Sequence, residues 1–292
     1  MKTASFKKLF IFQLAFFVFL FFTTANYSQV AEEHLLKISD EAVYTPILTL
    51  SSPLLKHKIK LFGMLHFADK EYYELILKNL ESTQLIFYEG VTLSKNQNLF
   101  LPIYAQVETK KSTILDIFSQ TDFLVKELNF SKQTDILQGR NYPNWFNADI
   151  SIARLNQSIL ENNIDFKALE NYSKNENSSF LKEFHLYRKM KMGDSKQEKL
   201  LLVKKKLAQD LLVSLKQLIK DEQLKPLRDV IIILRNEVVA AKLEKILKSE
   251  ESLELALLYG VAHLPNFVEI LSRDYKFAIE SVDWLEAWNL QR

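Results

Sequence analysis

Two histidines, almost two hundred positions apart, stand in matching surroundings. The first closes Leu61-Phe62-Gly63-Met64-Leu65-His66-Phe67, the second Leu258-Tyr259-Gly260-Val261-Ala262-His263-Leu264. In both, an apolar run meets a glycine, and two apolar residues separate that glycine from the imidazole. Glycine at the end of a strand permits a sharp turn or a close backbone approach. The carboxyl edge of an α/β sheet is where such folds bind ligands. The chain has only five glycines, so two in this position stand out. One Gly-x-x-His alone reads as a strand-end histidine satisfied by local hydrogen bonds. Two in matching context point to a joint site for His66 and His263.

Acidic and polar partners accompany the two histidines. Ile86-Phe87-Tyr88-Glu89 and Phe277-Ala278-Ile279-Glu280 end comparable strands after the two motifs. Glu89 is the acidic candidate, whereas Glu280 is expected to face solvent. Arg235 and Asn236 come after the wholly apolar run Val230–Leu234, which suggests a buried turn rather than an exposed helix face. Arg235 could hold a substrate carboxylate or an oxyanion through its planar fork of donors. Asn236 could orient a ligand by a hydrogen bond. Asp149 is open to two readings, an oxygen ligand or the N-cap of a helix just after it.

A hydrolytic metal site needs neutral imidazoles and carboxylates on a divalent ion, with one position left for water. His66, His263 and Glu89 supply two nitrogens and one set of oxygens. Glu89 could instead serve as acid/base, leaving Asp149 as the oxygen ligand. Both assignments remain open at this level. His34, His57 and His185 lack glycine or carboxylate context and are read as surface residues. The chain has no His-Glu-x-x-His, no phosphate-cradling glycine loop and no Gly-x-Ser-x-Gly elbow.

Periodicity gives the elements that must position these residues. Short apolar strands are expected at Ile59–Phe62, Gln84–Tyr88, Ile164–Leu169, Leu253–Tyr259 and Tyr275–Val282. Helices are expected at Glu71–Leu80, after Asn147–Ser151, at Ser195–Lys220, Leu227–Lys248 and Pro265–Ser272, and over much of Phe100–Phe130. Gly139–Trp145 and Asn171–Ser179 read as loops. The lysines of Ser195–Lys220 read as its solvated side, and Trp284 with Trp288 as a terminal helical turn. Strands alternating with helices imply an α/β fold with a mixed, mainly parallel sheet flanked by helices. It would hold two related strand–Gly-x-x-His–helix–strand units with a helical insertion between them.

Composition narrows the function classes. Hydrophobic residues make up 48% and charged ones 25% of the 292 residues, ordinary globular usage. Cysteine is absent, which excludes disulfides, thiolate-bound zinc, iron–sulfur clusters and a cysteine nucleophile. Lys2, Lys7 and Lys8 precede the apolar run Leu9–Phe22, and Thr23, Thr24, Ala25 and Ser28 come after it. Fourteen helical residues reach roughly 21 Å, short of the roughly 30 Å hydrocarbon core. Residues 1–28 are therefore read as a signal peptide and 29–292 as one domain, secreted or periplasmic. An uncleaved anchor is the alternative. Removing those three lysines turns a formal charge of +2 into about −1, leaving no strong field for nucleic acid. No later run is long and apolar enough to suggest a membrane span in the mature chain.

These motifs, in this order, resemble the TraB family with its PrgY, GumN and Tiki relatives, in the superfamily of the erythromycin esterases and ChaN. The carrying residues are Gly63-Met64-Leu65-His66, Tyr88-Glu89-Gly90, Arg235-Asn236-Glu237 and Gly260-Val261-Ala262-His263-Leu264-Pro265, with Asn147-Ala148-Asp149 as a further feature. They span roughly residues 58–282. Met64 and Leu65 depart from the commoner small residue and alanine before the first histidine. The Tiki-like members imply a metal-dependent peptidase using a divalent ion such as Mn, Co or Zn on a peptide or small-molecule substrate. Two alternatives are a haem-binding protein of the ChaN type and a peptide-sequestering module.

Overall fold

The computed structural model describes residues 33–90, 125–134, 142–164 and 196–292. The leader, Phe100 to residue 124, Gly139 to residue 141, Ile164–Leu169 beyond its first residue, Asn171–Ser179 and His185 lie outside the described residues. In chain order the strands are β1 (Lys37–Ile38), β2 (Ala42–Ser51), β3 (Lys58–Met64), β4 (Phe67–Ala68), β5 (Leu85–Tyr88), β6 (Ser131–Lys132), β7 (Trp145–Asn147), β8 (Glu254–Gly260) and β9 (Ala278–Asn289). The helices are α1 (Lys70–Asn79), α2 (Ile152–Glu161), α3 (Lys196–Lys220), α4 (Lys225–Arg228), α5 (Leu234–Leu247) and α6 (Leu264–Tyr275). A single π turn, Asp229–Ile233, joins α4 to α5.

Four strands, β3, β8, β5 and β7, lie side by side and parallel. On the far side of β3, β2 runs antiparallel, and β9 runs antiparallel along nearly all of β2. The fold is α/β with a mixed sheet flanked by helices, as the alternation of elements implied. Burial on both faces explains the apolar runs of the parallel strands. Ala256 and Leu258 of β8 join a core with Tyr72, Tyr73 and Ile76 of α1 and with Val203, Leu207 and Leu215 of α3. Leu255, Leu257 and Tyr259 face the opposite core with Val239, Leu243 and Leu247 of α5 and with Phe267 and Leu271 of α6. Period-two alternation within one strand thus serves two helical layers.

Several expectations change. The two Gly-x-x-His units agree in their first strand and in the helix that comes later, but differ in the turn, where β4 follows His66 and a 3₁₀ turn ends at His263, and again at the next strand. β5 returns parallel beside β8, whereas β9 crosses to the other side of the sheet and pairs antiparallel with β2. Trp284 and Trp288 lie on β9, not on a helix. Trp288 is fully buried, its indole donating to the Phe67 carbonyl at 2.9 Å. The lysines of α3 are not all solvated: Lys199 and Lys204 are buried, and Lys204 pairs with Asp69 at 3.2 Å above the Phe130 ring. His57 is buried rather than superficial, and its Nδ1 has no hydrogen-bond partner.

Candidate functional site

The parallel register fixes the position of both histidines. Gly63 lies opposite Tyr259 and Met64 opposite Gly260, so β3 and β8 end level with each other. Tyr88 of β5 pairs with Leu258, and Asn147 of β7 pairs with Tyr88. Each of four adjacent parallel strands therefore delivers one candidate residue just past its carboxyl end: His66, His263, Glu89 and Asp149. This is the edge at which open α/β sheets bind ligands.

The glycines are needed for close approach. A Cβ on Gly63 would stand 3.0 Å from Val261 Cγ2, 3.1 Å from Pro46 Cδ and 3.2 Å from Leu264 Cδ2. The first turn thus packs directly onto the second. A Cβ on Gly260 would press on Glu89 Oε2 at 3.3 Å, and the Gly260 N–H donates to that oxygen at 2.6 Å.

A buried network joins the second turn to Arg235. Arg235 is 2% exposed, and all five of its guanidinium N–H groups are engaged. Nε donates to Asp149 Oδ1 at 3.0 Å, and Nη2 to Asp149 Oδ2 at 2.5 Å and Glu89 Oε1 at 2.8 Å. Nη1 donates to the Ile231 carbonyl at 3.2 Å, in the π turn, and to His263 Nε2 at 3.4 Å. Arg235 consequently has no donor left for a substrate carboxylate or an oxyanion. It is a positioning residue, a correction to the role read from its planar fork.

Asn236 is equally committed. Its amide donates to the His263 carbonyl and to Asn266 Oδ1, both at 3.0 Å, while its Oδ1 accepts His263 Nδ1–H at 2.6 Å. The acceptor on Nδ1 fixes the imidazole tautomer, and the single Nε2 lone pair, 3.6 Å from Glu89 Oε1, takes the long 3.4 Å hydrogen bond from Arg235 Nη1, which an ion on Nε2 would have to displace. Burial foremost, with the Arg235 charge adding to it, lowers the His263 pKa to about 4 against the pull of Glu89 and Asp149. Burial alone would raise the Glu89 carboxyl. Arg235, His263, His66 and the Gly260 N–H outweigh it and hold that carboxyl well below its usual range. Burial would likewise depress Arg235, but Asp149 and Glu89 lift it above its ordinary value.

Asp149 does not cap a helix. The N-cap of α2 is Ser151, which accepts from the Arg154 N–H. Besides Arg235, Asp149 accepts the Gly90 N–H at 3.0 Å and the Ile150 N–H at 2.8 Å. Four hydrogen bonds use its lone pairs, so the carboxylate has none to offer a metal ion. Its expected place among the ligands gives way to a structural one.

The first turn is arranged differently. His66 is exposed, and its Nδ1 meets Gln133 Oε1 at 3.2 Å. The Gln133 N–H also holds the His66 carbonyl at 2.9 Å, and β4 pairs with β6 immediately beside it. Tyr72 and Tyr73 donate to the carbonyls of Gly63 and Leu65 at 3.0 and 2.8 Å. Gln133, Tyr72 and Tyr73 carry no signal of this role in the sequence. The tyrosines sit at ordinary core spacing on α1, and Gln133 belongs to no motif. Glu280 stays with solvent, pairing with Lys58 at 3.4 Å, away from this edge.

The donor types suit a divalent ion. Both imidazoles set Nδ1 against an amide oxygen and turn Nε2 to the opposite side, the orientation that metal-bound histidines adopt. Two donors about 2.1 Å from one tetrahedral ion stand about 3.4 Å apart, close to the His263–Glu89 separation of 3.6 Å. His66 is the third donor of suitable chemistry. Among the described residues, no three His, Asp or Glu side chains already stand together closely enough to hold an ion. No family model, curated protein or solved structure matches this chain.

Proposed function

We propose that this chain is an exported, metal-dependent hydrolase of the TraB/GumN type, cleaving an amide or ester in a peptide or small molecule. One observation carries the reading. His263 is locked by Asn236 with its unprotonated Nε2 beside Glu89, on the edge where His66 emerges. His66, His263 and Glu89 would hold the ion. When bound, it would supply a Lewis acid and lower the pKa of its water towards about 7.

The chain's own groups have separate tasks. His66 stands on the solvent side, so substrate approaches past it. Glu89 keeps lone pairs beyond those given to Arg235 and Gly260, and these are the ones it would offer the ion. Arg235 keeps Glu89 ionised and fixed, and Asn236 keeps His263 in the productive tautomer. The leader-like segment ahead of residue 29 supports export to the periplasm or the medium. The direct test is product analysis by mass spectrometry on a defined peptide pool, using the purified mature chain with added Mn, Co or Zn. Cleavage should appear with the wild type and fall by about 10²–10⁴ in Glu89→Gln. Unchanged cleavage by Glu89→Gln, or none by the wild type with any of these ions, contradicts the reading.

A further inference from the structure

A cavity lies between the end of α3, the π turn and α6, with a volume of about 360 Å³. That is enough for a small ligand. None of His66, Glu89, Arg235 or His263 lines it. The one residue it shares with the network above is Asn266, whose Oδ1 accepts from Asn236.

Ile219, Ile232, Ile233 and Ile270 form its apolar lining, of which Ile232 and Ile270 are buried. The charges around it are unevenly committed. Arg228 donates to the carbonyls of Leu218, Ile219 and Asp221 and pairs with Glu222 at 3.7 Å, and Asp229 pairs with Lys225 at 2.5 Å. Arg273 spends two hydrogen bonds on Asp274, at 2.7 and 2.9 Å, and its charge also reaches Glu269 and Glu237 from beyond ion-pair distance. Glu237 and Glu269 have no cation within ion-pair distance among the described residues. Glu269 accepts only the amide of Asn266, at 3.1 Å. With the cations each paired to an acid, the described residues leave two acids in excess, Glu237 and Glu269, beside an isoleucine-lined cavity.

We propose that this cavity binds a small amphipathic cation: an ammonium or guanidinium on an apolar stem, with the stem against the isoleucines and the head between Glu237 and Glu269. Burying the stem supplies affinity, and the two carboxylates select the sign of the head. The site is independent of the hydrolase reading, because binding is measured without turnover.

The test is calorimetric titration of the whole mature protein with n-hexylamine, and separately with hexanoate, which has the same stem and the opposite charge. The amine should saturate one site with a Kd of about 1 mM or tighter, weakened by salt, and hexanoate should not bind. Glu237→Gln with Glu269→Gln should weaken the amine at least about tenfold, about 1.4 kcal/mol. Ile233→Trp should abolish binding by filling the cavity while leaving both acids in place. No saturable amine binding, equal binding of hexanoate, or wild-type affinity in both variants overturns the proposal.

Discussion

The two Gly-x-x-His turns begin alike and end in opposite environments. In the first, a short β4–β6 ladder and one glutamine hold His66 at the surface. In the second, His263 is 3% exposed and sits inside a network with Arg235, Asn236 and Glu89. The difference arises in the element that each imidazole leads into. After His66 the chain enters a strand, which carries the ring outward. His263 closes a 3₁₀ turn that leads straight into α6, and this drives the ring against α5. A shared motif therefore supplies one accessible imidazole and one fixed imidazole at a common edge.

The contrast breaks most severely at Arg235. Replacing it with Met leaves Glu89 and Asp149 buried without their cation, at a cost of about 3–5 kcal/mol in urea denaturation. Replacing the polar residues of the first turn, His66 or Gln133, should not approach that. The next effect is pH. Because the folded pKa of His263 lies near 4, below its unfolded value of 6.5, the unfolded chain binds more protons between these values. The stabilisation it gives is full above pH 6.5 and is lost as pH falls towards 4, on the order of 3 kcal/mol. His263→Gln should remove that component from the stability profile, and His66→Gln should leave it in place.

Asn236→Ala strands a buried imidazole N–H and should cost about 1–3 kcal/mol. Gln133→Ala should cost less, about 1 kcal/mol, because the exposed His66 ring can turn to water. Smallest of all, His66→Ala should change stability by no more than about 0.5 kcal/mol while removing the proposed chemistry. A large loss of stability there would erase the contrast between the turns.

What the sequence made legible was the parallel heart of the fold and the edge it creates. Apolar runs ending in glycine identified β3 and β8, and the apolar stretch before Arg235 correctly implied a buried turn. Other parts had no such signal. β2 is buried on both faces and contains Pro46, so neither alternation nor a clean apolar run marks it. The proline is tolerated because the β3 ladder begins at Ile47, leaving Pro46 to pack against Gly63. β9 carries two register shifts against β2, which breaks any regular pattern along its twelve residues. β7 is only three residues long. Asp149 and Arg235 were visible as candidates, but their saturation by one another depends on a separation of 86 positions. No local pattern encodes that.

The central claim is that His66 and His263 serve one centre despite their different burial. Elemental analysis of the purified mature protein, beside His66→Ala and His263→Ala prepared identically, tests it most directly. A shared centre requires close to one divalent ion per wild-type chain and a loss of that ion in each variant. Equal metal content in all three proteins, or dependence on only one of the histidines, would contradict it.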